Sequence, residues 1–323
     1  MNEKSNNIHG NTKNYEVMIS TAALLVAIVA AYYSYSVGVK QINDGKLNQL
    51  KSCISDIYKI QLDISQLNYD FRFTSIQLGT SPLRPVGPDY GDQLKQFQAL
   101  NSLEKVKSKQ CVNLIKNIPW KLIEIEDVNA ISKSLNDTIL FVELNNMLDK
   151  TLNSDININR EQLLKIKIDR AAAMILSGNL KSGRIEFEST LNQHNEKNLE
   201  QKIRVTEGYL IWAESESRLE QKFRINDSPN KRKILYILNN YLSPRLKDIE
   251  NNFRNISTFN KDVDTQDTNF VGYLELSNSY QNIKTRFTTL SDYYIKNKRY
   301  SPLLLLDSST KCDTSEHKNS EMR

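Results

Sequence analysis

Three histidines, three cysteines, ten glycines and seven prolines in 323 residues leave this chain short of most groups from which active sites are built. His9, His194 and His317 are too few and too scattered for a histidine-centred triad or a histidine-rich metal site. No phosphate-cradling glycine loop, no GxSxG elbow and no HExxH pair occurs. No catalytic, cofactor-binding or metal-ligating residue is therefore nominated, no cofactor is expected, and the chain is read as a non-enzyme. An enzyme with a motif-free site is the weakest reading. Cys53, Cys111 and Cys312 lack CxxC spacing, and an odd number does not complete a disulfide framework. Cys53 and Cys111 are read as small buried apolar residues, which implies a reducing compartment.

Charge of one sign is lacking too. Forty-three basic residues stand against 38 acidic ones, interspersed, for a net charge of +5. That is ordinary solvation, and no nucleic-acid partner is expected. The acidic clusters Glu124/Glu126/Asp127, Glu186/Glu188 and Glu214/Glu216/Glu220 are read as solvated helix faces, because i and i+2 side chains do not face each other. Glu214 with Arg218 is read as a surface pair, and the run Lys231-Arg232-Lys233 as an exposed helix start. Scarce helix breakers favour an all-α chain. The wealth of Asn, Lys, Ile and Ser resembles a low-GC bacterial coding bias.

What the chain does have is one long apolar run. No charged residue lies between Glu16 and Lys40, and the 23 residues 17–39 make a helix of about 35 Å, enough to cross a hydrocarbon core. Tyr32, Tyr33 and Tyr35 crowd one end, where amphipathic rings favour the headgroup layer. The stretch is read as a single transmembrane helix that places the lipid bilayer among the partners. A cleaved signal fits less well, because the preceding residues are charge-balanced and the small residues fall in mid-run. A buried core helix is the third reading. Residues 1–16 and 307–323 are expected to be disordered tails.

Beyond the anchor, Leu47, Leu50, Ile54, Ile57, Gln61, Ile64, Asn68 and Phe71 alternate in steps of 3 and 4, a seam for another helix. An intramolecular bundle is favoured, with homo-oligomerisation through residues 47–71 as the alternative. Pro82, Pro85 and Pro88 put a loop at residues 80–91, whose PxxP spacing is weak evidence for a docking motif. Helices are expected over residues 93–117 and 127–152. The Asn-rich break at 151–160 divides a helical region, 40–152, from a second one, 160–306.

The second region opens on KIKIDRAAAMILSGNLKSGRIEFESTLNQ, residues 165–193, which resembles a tetratricopeptide (TPR) repeat. Gly178 sits at the inter-helix turn, Gly183 at the small position of the second helix and Phe187 at its aromatic position, with Thr190 and Leu191 closing the unit. Ala171 and Met174 would be the small and bulky residues of the first helix. Lys167 and Asn195 stand where the family has tryptophan and proline. A helix at 205–219 with Tyr209, Leu210, Trp212 and Ala213 resembles a second first helix, so the likeness covers residues 165–219. The resemblance implies an array of antiparallel helix pairs that binds protein partners. A plain helical hairpin is the other reading of the same residues.

Further on, Ser243 and Pro244 are expected to cap and start a new helix. Tyr273, Leu276, Tyr280, Ile283, Phe287, Leu290 and Tyr294 form a half-buried stripe on the last one, and the apolar run 303–306 is too short to span a membrane. The functional expectation is a membrane-anchored helical scaffold or adaptor with an unidentified protein partner. The alternative is a sensor or effector acting through its transmembrane helix. Lysines near the span number two before it (Lys4, Lys13) and four after it (Lys40, Lys46, Lys51, Lys59), which puts the large region in the cytoplasm. The frequency with which an N-terminal anchor exports the domain behind it argues the other way. The apolar run predicts that the protein stays in the membrane pellet through carbonate and high-salt washes. Recovery in the supernatant, or a mature chain beginning after Ala31, overturns it.

Overall fold

The computed structural model describes residues 7–77, 90–194, 196–223, 229–259 and 268–295, with side chains over 24–69, 91–194, 196–220, 230–254 and 272–295. All regular structure among them is helical. The expected loop at 80–91, the run 303–306 and the tail 307–323 fall almost wholly outside the described residues.

Helix α1, Asn7–Gln77, runs for 71 residues, about 105 Å, without a break. It begins at Asn7, so most of the tail expected to be disordered is helical. Propagating an existing helix adds one hydrogen bond per residue fixed, which is cheaper than nucleating a new one. Near the N-terminus α1 is long and apolar enough to cross a membrane, and the part from Leu24 to Val37 packs on nothing. Further along, Leu50, Ile54, Ile57 and Ile64 are buried, with α2, Tyr90–Ile115, lying against them. The buried part of the 3-4 seam is thus packed inside the chain, against α2.

That packing overturns the reading of the cysteines. Cys53 on α1 and Cys111 on α2 are joined in a disulfide, with Cα atoms 5.8 Å apart although the residues are 58 positions apart in sequence. Local spacing is blind to such a pair, because only the alignment of the two helices brings the thiols together. The odd count reflects Cys312, outside the described residues.

Where one helix is expected over 127–152 there are two: α3, Ile125–Asp137, and α4, Phe141–Leu152. The turn between them has Ile139 at φ 60°, with Ile139 N–H donating to Asn136 O and Leu140 N–H to Leu135 O. Helix α5, Arg160–Leu176, ends the same way before α6, Leu180–Asn192. There Gly178 stands at φ 99°, Gly178 N–H donates to Ile175 O and Asn179 N–H to Met174 O. Both are left-handed caps that return two carbonyls at the helix end to hydrogen bonding. Gly178 fills the role expected of it. Ile139 hides the equivalent turn, because nothing in an isoleucine signals a positive φ. The start of α5 is ordinary by comparison, a capping box between Asn159 and Gln162.

Helix α7, Leu199–Phe223, leads into α8, Pro229–Ile237, a wide turn at Leu238–Leu242, and α9, Ser243–Phe259. Ser243 has helical dihedrals (φ −59°, ψ −47°) and is therefore not an N-cap. The π-type turn before Pro244 absorbs the missing N–H, so the chain continues where a new start is expected. Helix α10, Thr268–Tyr294, closes the stack with Tyr280, Ile283, Leu290 and Tyr294 buried.

Two hydrophobic cores result. One joins α1 to α4; the other joins α5 to α10. Helix α5 feeds both, giving Ile166 and Ala173 to the first and Leu164, Ile168, Ala171 and Ile175 to the second. Gly183 sits against this helix so closely that an added Cβ would lie 2.8 Å from Ala171 O and 2.7 Å from Ile175 Cγ1.

The turn geometry predicts opposite effects in thermal melts of the purified protein. Ile139→Gly, at an exposed site, should gain about 1 kcal/mol by removing a strained left-handed side chain. Gly178→Val should lose about 2 kcal/mol or more, and Gly183→Ala a similar amount against unyielding backbone. Equal melting temperatures for all three variants and wild type would refute both turns.

Candidate binding groove

Helices α3, α5 and α7 each present one stripe to a shared cleft of 590 Å³. Helical spacing selects the residues: Glu126, Asn129, Ala130, Lys133 and Asn136 on α3, Lys165, Asp169, Ala172 and Leu176 on α5, Ile211, Glu214, Ser215 and Arg218 on α7. Tyr58 of α1, Leu144 of α4 and Arg286 of α10 complete the walls. Ala130, Leu144, Ala172, Leu176 and Ile211 supply apolar contact, and charged groups of both signs surround them.

Those charges are held by neighbours along and across the helices. Lys165 Nζ is 2.7 Å from Asp169 Oδ2 and 3.5 Å from Asn129 Oδ1, while Lys133 reaches Asp137 at 2.8 Å. Glu126 accepts from Gln162 at 3.5 Å. The strongest element is Arg286, whose Nε and Nη2 donate to the two oxygens of Glu214 at 2.8 and 2.5 Å, with Glu207 at 3.6 Å. Burial pulls the Arg286 guanidinium down, and hydrogen bonding and attraction to Glu214 more than reverse it, so its pKa stands above the ordinary value. Glu214 is therefore tied to α10 and is mostly buried, not at the surface as expected.

Behind the groove Arg184 of α6 grips Glu216 of α7 through Nε and Nη2, both at 2.7 Å, and reaches Asn230 at 2.9 Å. Glu216 is fully buried and also accepts from Trp212 Nε1 at 3.1 Å. Trp212 stacks on Phe187 with ring centroids 5.3 Å apart, and the Lys233 ammonium lies 4.5 Å from the indole centre. Glu186 meets Arg170, Glu188 meets Lys233 and Glu124 meets Lys51. Glu186, Glu214 and Glu216 are thus not plain solvated residues, while Glu124, Glu126 and Glu188 stay exposed as expected. Glu124, Glu186, Glu188, Glu214 and Glu216 each meet a cation on another helix, whereas Glu126 accepts from Gln162 and one carboxylate oxygen each of Asp127 and Glu220 is buried without a hydrogen-bond partner. The arginine partners, Arg170, Arg184 and Arg286, are at least 16 positions distant, so no short-range pattern could have named them.

His194 lies partly buried after α6, and burial together with Arg160 lowers its imidazole pKa. Among the described residues no group of three His, Cys, Asp or Glu side chains is arranged to hold a metal ion. No protein-family model, curated protein or solved structure matches this chain. The groove is therefore read from its own geometry.

The buried pair gives a stability test. Arg184→Ala strands the Glu216 carboxylate and should cost about 3 kcal/mol in denaturant unfolding, while Arg184→Met with Glu216→Leu should recover most of it. A single variant as stable as wild type would show that the pair holds nothing together.

Proposed function

We propose that the protein is a membrane-anchored helical adaptor whose groove between α3, α5 and α7 takes an extended segment of a partner protein. The observation that carries this reading is the groove itself: an open cleft with apolar patches between charges of both signs, suited to a polypeptide with alternating side chains. The two hairpins behind it support a TPR-like array. Their turns share one hydrogen-bonding pattern 39 positions apart, and their first helices line the same concave side. Residues 17–39 are the span, with the bilayer as the first partner.

The body faces the oxidising side of that membrane. Free thiols are no longer an argument for the cytoplasm once Cys53 and Cys111 are bonded, and disulfides persist where the surroundings oxidise. Against this stands a lysine bias of four to two, which is a tendency that a small excess rarely decides. The second reading, a sensor or effector working through its span, is favoured by one feature, the unbroken run of α1 from the apolar stretch into the first core.

A photo-crosslinking residue in place of Ala172, inside the groove, should give a discrete adduct in native membranes, and one in place of the outward Ile185 should not. The Ala172 adduct should survive removal of the span, whereas an effector would lose all activity. Cys53 and Cys111 should resist alkylation until reduced, and Cys312 should react with a membrane-impermeant maleimide in intact cells. Labelling of Cys312 only after permeabilisation places the body in the cytoplasm, and equal adducts at both positions remove the groove from the function.

A further inference from the structure

The continuity of α1 sets the height of the body above the bilayer, and height decides which surface meets the lipid. Val39 ends the charge-free run, and Lys46 follows seven residues later, about 10 Å along the helix axis. Lys46 Nζ donates to the carbonyl oxygen of Asn117, just past the end of α2, at 3.2 Å. Five residues further along, Lys51 pairs with Glu124 at 3.2 Å. These two contacts bind the α2–α3 connection to the first turns of α1 beyond the span. The headgroup layer extends about 5–8 Å past the hydrocarbon on each side, so the connection stands at its outer edge.

The chemistry of that surface matches its position. Lys40, Lys46 and Lys51 on α1 and Lys116 and Lys121 on the connection stand near Asp44, Glu124 and Asp127, and Lys51 already answers the last two, Glu124 by an ion pair and Asp127 through space. Lys116 and Lys121 are exposed. Between them Ile118 anchors the loop in the first core and Trp120 is half-buried against it, and the exposed Leu122 follows Lys121. A tryptophan between lysines suits the boundary where rings favour the headgroups and cations meet lipid phosphates.

We propose that the α2–α3 connection, residues 116–122, is a second membrane contact that binds the phosphate groups of anionic phospholipids in the bilayer that α1 crosses. The proposal rests on the reading of residues 17–39 as a span. Its effect is to hold the body upright at the surface, with the groove of α3, α5 and α7 in a fixed attitude to the membrane.

The full chain reconstituted in nanodiscs tests it, with bromine-labelled phosphatidylcholine as quencher and phosphatidylglycerol present or absent. Trp212 is fully buried and gives a constant background, so the change in emission reports Trp120. Emission should fall roughly two-fold further in the anionic discs, and the difference should vanish in high salt. Lys116→Glu with Lys121→Glu should abolish the difference while incorporation and helical content stay unchanged. Lys116→Gln with Lys121→Gln should give an intermediate loss. Quenching that ignores phosphatidylglycerol, salt and both variants in discs that do contain the protein overturns the contact and leaves the span intact. Failure to enter discs at all overturns the span, and the contact with it.

Discussion

Helix α5 is buried on two sides at once, and the arrangement of the body depends on that. Ile166 and Ala173 close the core built by α1 to α4, and Leu164, Ile168, Ala171 and Ile175 close the core built by α6 to α10. Burying a Leu or Ile side chain stabilises by about 1.5–3 kcal/mol, so the four large ones contribute on the order of 6–12 kcal/mol as an upper estimate. That equals the net stability of an ordinary domain. Without α5 neither core is closed. The stripe it has left, Lys165, Asp169, Ala172 and Leu176, becomes the middle wall of the groove.

Apolar burial says little about how neighbouring helices are rotated about their axes, and buried charge supplies that information. Arg184 can grip Glu216 with two hydrogen bonds in one relative setting of α6 and α7, and Arg286 can grip Glu214 likewise in one setting of α7 and α10. A buried pair of this kind adds little net stability over an apolar substitute, but a wrong rotation leaves a carboxylate alone in the interior. The glutamates two apart on α7 therefore work as separate latches, one toward α6 and one toward α10.

Features written in period or in a special residue could be read from the chain without its structure. The 3-4 seam of α1, the stripe of α10 and the turn at Gly178 are of this kind, because helix geometry imposes the spacing and a positive φ selects glycine. The groove was not legible, because its walls come from stripes on three helices that only the fold brings together. What stayed hidden depends on distant partners or on a tolerated misfit. Cys53 and Cys111 needed the register of two helices, Arg286 needed a helix 72 positions away, and Ile139 occupies a conformation its side chain disfavours. At Ser243-Pro244 the local rule for starting a helix lost to a π turn that lets the old one continue.

The unbroken α1 couples rotation to length. Each residue of an α-helix advances about 100° and 1.5 Å, so one residue inserted between Val39 and Lys46 would swing the whole body by more than a quarter turn. Seven inserted residues would bring it back to within about 20° of its original bearing and lift it by about 10 Å. The azimuth of the groove is thus written into the number of residues between the apolar run and Lys46, which grips the connection after α2. Two chains with identical bodies and apolar runs, but one residue more or less between them, would turn different sides of the body the same way.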